Sequence, residues 1–278
     1  SAASDVYKRQ SPRDTRISGR SSKRAAPYSP QRTSPARARH SPLPNSDMTR
    51  SEIRFIRSLA DKQARTAAGL FVAEGSKLIG EILASGWEVE SLYSTRDSFG
   101  GRAVMVSSAE MERISMLKTP NDSLATVRIP VFKAPRTADA SRLALALDGV
   151  RNPGNMGTII RLADWFGIED VYCSEDSADC FNPKVVQATM GAILRVRVHY
   201  LDLEALLARS AAASTPVYGT VLDGENIYSA PLTAGGVIVM GNEGKGISPA
   251  CAAHLTHRLL IPPYPASRHG SESLNVAM

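Results

Sequence analysis

The run Leu143-Ala-Leu-Ala-Leu147, followed at once by Asp148-Gly-Val-Arg-Asn-Pro-Gly-Asn-Met-Gly157, decides the fold class. Five consecutive apolar residues without alternation read as a strand buried on both faces, the environment of a parallel sheet. The Gly- and Pro-rich stretch behind it reads as a loop, and 158–166 as a helix stopped by Gly167. The rhythm continues downstream, with candidate strands at 171–173, 196–198, 216–221, 237–240 and 259–261 and helices over 183–194 and 203–213. Strands alternating with helices predict a parallel α/β sheet.

Two further segments share the character of the first loop: Val239-Met-Gly-Asn-Glu-Gly-Lys-Gly-Ile-Ser248, and Leu260-Ile-Pro-Pro263 with Ser273-Leu-Asn-Val276. Each follows an apolar run and combines Gly or Pro with few polar side chains, as where a strand end meets a loop and the backbone approaches a ligand closely. Spacing excludes two common nucleotide sites. Gly154 and Gly157 lack the preceding glycine of G-x-G-x-x-G, and Gly246 is followed by Ile247 rather than by Lys and Ser or Thr.

With Asn152–Arg161 as the first, these three segments, in this order and at this spacing, closely resemble the signature motifs of the SpoU (TrmH-type) RNA ribose 2'-O-methyltransferases of the SPOUT superfamily. The resemblance implies S-adenosylmethionine as cofactor, RNA as substrate, a C-terminal trefoil knot and a homodimer. It assigns Asn155, Arg161, Glu243, Ser273 and Asn275 to the catalytic pocket, and the backbone of Gly241, Ile261 and Leu274 to the cofactor. In the family the arginine matching Arg161 is the proposed catalytic residue.

Methyl transfer to a ribose needs the 2'-hydroxyl held in line with the sulfonium methyl and its developing negative charge stabilised. Arginine, with a pKa above about 12, is a poor base, so stabilisation of an alkoxide or phosphate is the role its chemistry favours for Arg161. A plain alternative is an ion pair with Asp164, three residues on. Glu243, between Asn242 and Gly244 at a strand end, reads as orienting Arg161, as accepting substrate hydrogen bonds, or as a loop surface charge. Ser273 and Asn275 alternate, so in an extended segment they point the same way. Asn182, in Asn-Pro-Lys184, is read either as lining the site or as starting a helix.

Upstream, Ile53, Ile56 and Leu59 recur at helical spacing; 69–75 reads as a strand into a turn, a second helix ends near Gly86, and further strands lie around 89–93 and 104–106. This α/β module, over 48–130, resembles the substrate-binding domain that precedes the catalytic domain in many SpoU enzymes, through Ser58-Leu-Ala-Asp-Lys62 with Arg65 and through Gly69–Gly75. That resemblance makes Lys62, Arg65 and Lys77 RNA phosphate contacts, whereas by themselves they read as a solvated helix face. Residues 131–142, with small residues, the basic side chains Lys133, Arg136 and Arg142, and Pro135, read as an exposed linker to a methyltransferase domain over 143–278.

Charge is unevenly placed. Residues 1–47 carry ten Lys or Arg against three Asp or Glu, so the remaining 231 residues hold 23 against 24, and RNA affinity must come from local patches. Ser1–Gln10 resembles a translated sequencing adapter, and the Ser-, Pro- and Arg-rich run to Asn45 cannot bury enough apolar surface to fold, so 1–47 read as disordered or artefactual and Met48 as the natural start. Three cysteines without a CxxC pair indicate neither a disulfide framework nor a zinc site and fit a reducing cytoplasm. His254 and His257 are three apart without a third ligand, so no metal is expected, and no apolar run has the length of a membrane span.

The reading is therefore an S-adenosylmethionine-dependent RNA 2'-O-methyltransferase acting on ribosomal RNA, with transfer RNA or a non-catalytic RNA-binding relative as alternatives. The chain stops in mid-motif at Met278, which reads as a C-terminal truncation that weakens dimerisation and cofactor binding.

Overall fold

A computed structural model describes residues 48–265 and 274–277. In the first half, α1 (Arg50–Ser58) starts at a capping box: Glu52 N–H donates to the Thr49 hydroxyl, and Thr49 N–H to the Glu52 carboxylate. After Asp61, the N-cap of α2 (Lys62–Ala68), come β1 (Leu70–Glu74), α3 (Ser76–Ser85), β2 (Val89–Ser94), β3 (Val104–Met105), α4 (Ser108–Ile114) and β4 (Ser123–Arg128). The last strand is central. The sheet order is β1-β4-β2-β3, with β4 antiparallel to both neighbours.

The second half comprises β5 (Leu143–Leu147), α5 (Pro153–Trp165), β6 (Asp170–Cys173), α6 (Pro183–Thr189), a 3-10 turn (Ala192–Leu194), β7 (Arg197–Tyr200), α7 (Leu203–Ala212), β8 (Val217–Asn226), β9 (Gly236–Met240), α8 (Pro249–Ala252) and β10 (His257–Leu260). Its six strands lie in the order β10-β8-β9-β5-β6-β7, and every pair is parallel. Alternate residues of β5 feed two cores: Leu145 and Leu147 pack with Ile159, Ile160 and Val171, while Ala144 and Ala146 pack with Leu206, Leu207 and Val237. This is why the strand is apolar throughout. From β5 the chain moves through β6 and β7 on one side, and β9 lies on the other, so the carboxyl ends of β5 and β9 flank the topological switch point where open α/β sheets bind ligands.

Local differences from the sequence reading have local causes. Asn152 accepts hydrogen bonds from the N–H groups of Gly154 (2.8 Å) and Asn155 (3.2 Å), and Pro153 takes the first helical position, so α5 begins there rather than at Thr158. The helix expected over 183–194 breaks where Met190 and Gly191 both adopt positive φ, 52° and 89°. A Cβ at Gly191 would lie 2.5 Å from Glu81 Oε2, and one at Gly157 2.4 Å from the Ala188 Cβ, which lets α5 and α6 pack closely. Residues 131–142 are mostly exposed, but Ala138 is buried and its N–H donates to the Ser210 hydroxyl at 3.0 Å.

The two halves share a core. Val186 of α6 is buried among Phe71, Ile79, Ile82 and Val127, and the rings of Phe71 and Phe181 lie 4.9 Å apart. Among the described residues no helix is long and apolar enough to cross a membrane. The N-terminal segment 1–47 and residues 266–273, within the region expected to form the C-terminal knot, lie outside the described residues.

Candidate active site

The loops leaving β5 and β9 are joined by hydrogen bonds that bridge about a hundred residues of chain. Asp148 N–H donates to the Met240 carbonyl (2.9 Å), and its carboxylate accepts from Ser248 N–H (2.6 Å). The Asn242 amide donates to the Gly149 carbonyl (2.7 Å), while its oxygen accepts from the N–H groups of Gly244 (3.0 Å) and Lys245 (3.1 Å). Gly241 is sterically required, since a Cβ there would sit 2.2 Å from backbone atoms of Gly246 and Ile247. Gly149, at φ +69°, donates to Ser174, which in turn donates to Asp176. Hydrogen bonds from Arg151 and Ser174 hold the Asp176 carboxyl below its ordinary range despite some burial. The sequence reading missed Asp148, Asn242 and Asp176, although Asn242 stands inside a quoted motif.

Within this frame the Asn155 side chain donates to Glu243 Oε1 at 2.6 Å. Two residues nominated from different motifs thus meet. Arg161 lies on the same helix as Asn155 and is exposed, with no hydrogen bond or ion pair among the described residues. The Asp164 alternative does not hold, because that carboxylate is taken by Arg195 at 2.8 to 3.0 Å. Glu243 thus bonds Asn155 and makes no bond to Arg161. Asn182 is the N-cap of α6, accepting from Lys184 N–H at 2.9 Å. His257 opens β10, three residues after His254, and among the described residues no three metal-type side chains cluster.

The third motif reaches the same region from below. Val276 and Ala277 pack into the core that contains Val150, Met156 and Met240, and Asn275, exposed, accepts from Ala277 N–H at 2.8 Å. Ser273 lies outside the described residues. Ile261 and Leu274 keep exposed apolar side chains. Backbone groups at strand ends beside such apolar faces fit an adenine and its ribose, which need directional hydrogen bonds within a largely apolar setting.

Arg65 requires a correction. It is 2% exposed, its Nε donates to Asp179 at 3.0 Å, and its Nη1 donates to the carbonyls of Leu59 and Ala60, both at 2.8 Å. With four of its five N–H donors committed and its side chain buried between the halves, it is not placed to meet a phosphate. Lys62 and Lys77 remain exposed, Lys62 with its ammonium 5.6 Å from the Tyr200 ring centroid.

Residues 142–278 match the SpoU rRNA Methylase family and residues 50–125 the MRM3-like substrate binding domain. The chain is 29% identical over 235 residues to the 23S rRNA (guanosine(2553)-2'-O)-methyltransferase RlmP of Bacillus subtilis (strain 168), covering 82% of this chain and 92% of that protein. It superimposes on a solved structure described as a putative RNA methyltransferase of the TrmH family from Porphyromonas gingivalis with a TM-score of 0.75 and 39% identity, covering 84% and 94% of the two chains. An AdoMet-bound rRNA methyltransferase from Sinorhizobium meliloti gives 0.72 and 26%, covering 84% and 92%. The chain belongs to the SpoU (TrmH-type) methyltransferase family.

Proposed function

We propose that this protein transfers the methyl group of S-adenosylmethionine to a ribose 2'-hydroxyl of ribosomal RNA. The observation that carries the reading is the Asn155–Glu243 hydrogen bond at the switch point of the parallel sheet, in a chain whose relative RlmP is named for this reaction. The intact pair favours a working enzyme over a silent RNA-binding relative. The cofactor, held by the backbone of Gly241, Ile261 and Leu274, supplies an electrophilic methyl.

The chain's own residues place and polarise the hydroxyl. Glu243, oriented by the Asn155 amide, accepts from a ribose hydroxyl and fixes its direction, and Asn275 belongs to the same pocket. Arg161, whose guanidinium has no partner among the described residues, faces the charge that grows on the 2'-oxygen as its proton passes to the Glu243 carboxylate and the methyl to the oxygen. Lys62 and Lys77 contact RNA phosphates from the first half, which positions the strand without reading its sequence. The three free, buried cysteines accord with a reducing cytoplasm.

A second copy completes the particle. Trp165 and Phe166, at the end of α5, are 83% and 70% exposed side by side, more apolar area than an isolated surface residue leaves in water. Trp165→Ser/Phe166→Ser is expected to shift the protein to a monomer in light scattering; an unchanged mass, whether monomeric or dimeric, removes this face as the interface.

Labelled S-adenosylmethionine offered with transcribed 23S, 16S and transfer RNA tests the reaction. Label in a nuclease-resistant ribose linkage of ribosomal RNA is expected. Label on a base, only in transfer RNA, or in no RNA overturns the reading.

A further inference from the structure

Helix α6 runs from the catalytic loops to a cleft between the two halves, and one of its faces is bare. Lys184, Gln187 and Met190 are exposed at three-residue spacing, whereas Val185, Val186 and Thr189 are buried. At its start the preceding loop is tied to the segment that leads into the first motif, Ala178 N–H donating to the Val150 carbonyl at 2.8 Å. At its end Met190, left-handed at φ 52° and 62% exposed, lines a cleft of about 470 Å³ whose opposite wall carries Lys77 and Arg96. Seven helical residues span about 10 Å, so the stripe bridges the site and the cleft at the scale of a short stretch of single strand.

The charges on this path are unequal in availability. Lys184, Lys77 and Arg96 make no ion pair among the described residues. Three carboxylates also line the cleft: Glu81 faces Arg195 at 3.5 Å, whereas Glu74 accepts from the Ser115 hydroxyl (2.6 Å) and Met116 N–H (2.7 Å) and Asp122 from the Ser123 hydroxyl (3.1 Å), bonds that fix their direction and leave their charge. Free cations flank an exposed thioether and an amide. Met190 holds the left-handed C-cap position of α6, an uncommon place for a non-glycine side chain.

We propose that the exposed face of α6, with Lys77 and Arg96 across the cleft, holds the single-stranded RNA flanking the target nucleotide. Phosphates lie on Lys184, Lys77 and Arg96, and an unstacked base lies against Met190 with Gln187 at its edge. This assignment rests on the RNA-methyltransferase reading. It adds the route by which the strand passes between the halves. A single strand is required because duplex RNA presents no free base face to such a stripe.

The test uses the whole protein and transcribed 23S RNA carrying 4-thiouridine. After irradiation and trypsin digestion, cross-linked nucleotide is expected on the fragment 185–195, which contains Gln187 and Met190. Lys184→Gln/Arg96→Gln, both at exposed positions, is expected to lower the salt dependence of RNA binding by about 1.4, or about 0.7 per lost single-strand phosphate contact, while cofactor affinity is retained. Met190→Ala is expected to weaken binding without changing that slope. Methylation and RNA binding by the wild type with no cross-link on 185–195 and an unchanged slope in the double variant overturn the stripe alone. Absence of any RNA binding or methylation by the wild type overturns the functional reading and the stripe with it.

Discussion

The Asn155 amide nitrogen lies 2.6 Å from Glu243 Oε1, joining the helix behind β5 to the loop behind β9 across 88 residues of sequence. An amide donating to a carboxylate fixes which oxygen remains free for substrate. Asn155→Ala is expected to lower turnover about a hundredfold, in the range for a misdirected acid–base group. Asn155→Asp is the sharper variant. It sets two carboxylates against each other, and one must bind a proton to restore the hydrogen bond, so its activity is expected to recover partly as pH falls while that of Asn155→Ala does not. Parallel pH profiles for the two variants refute this role for the pair.

Arg161 is expected to act on the transition state alone. Arg161→Ala should lower single-turnover methyl transfer at least about a hundredfold and leave cofactor affinity within about twofold. Calorimetry with S-adenosylmethionine and a quench-flow measurement separate the two quantities; a matched loss in both makes Arg161 a cofactor ligand instead.

Arg65 is expected to behave as a buried structural cation. Removing it leaves Asp179, whose side chain is 16% exposed, without its partner, so Arg65→Ala should cost about 3–5 kcal/mol in denaturant unfolding. Arg65→Lys should not restore this, because one ammonium cannot reproduce bonds to Asp179 and to two carbonyls at once. The salt dependence of RNA binding by any folded Arg65 variant should match that of the wild type.

Asp170 gives an acid limb to stability. Burial opposes its charge, but hydrogen bonds from Arg197 and His199 and their charges outweigh it, so the folded carboxyl titrates well below the ordinary 3.8. The stability it contributes is therefore complete above that value and lost as pH falls toward its folded pKa. Between about pH 4 and pH 2 the melting temperature of the wild type is expected to fall more steeply than that of Asp170→Asn. Equal slopes in calorimetry assign the acid limb to other carboxylates.

What the sequence discloses divides along physical lines. β5 was legible because burial on both faces leaves no alternation, and the motif loops because glycines and prolines mark strand ends. The early start of α5 was also written locally, in Asn152 before Pro153, and α4 in the capping box of Ser107 and Glu110, though both were passed over. β4 owes its inner place in the sheet to pairing with β1 and β2, which no local pattern reveals. Arg65 could not be read at all. Its burial depends on Asp179, 114 residues away, and a lone arginine on a helix looks the same whether it meets solvent or an interior carboxylate.

The core that Val186 and Phe181 share with Phe71 and Ile79 bears on how the chain melts. Apolar groups held in common by two sheets are exposed by the loss of either one, so neither half gains by unfolding first. Heating should give a single cooperative endotherm, and protease nicking of the 131–142 connection should leave two fragments that travel together until denaturant is added. Evolution of the substrate-binding half is constrained in the same way: its inner face cannot drift while its outer face adapts to a new RNA.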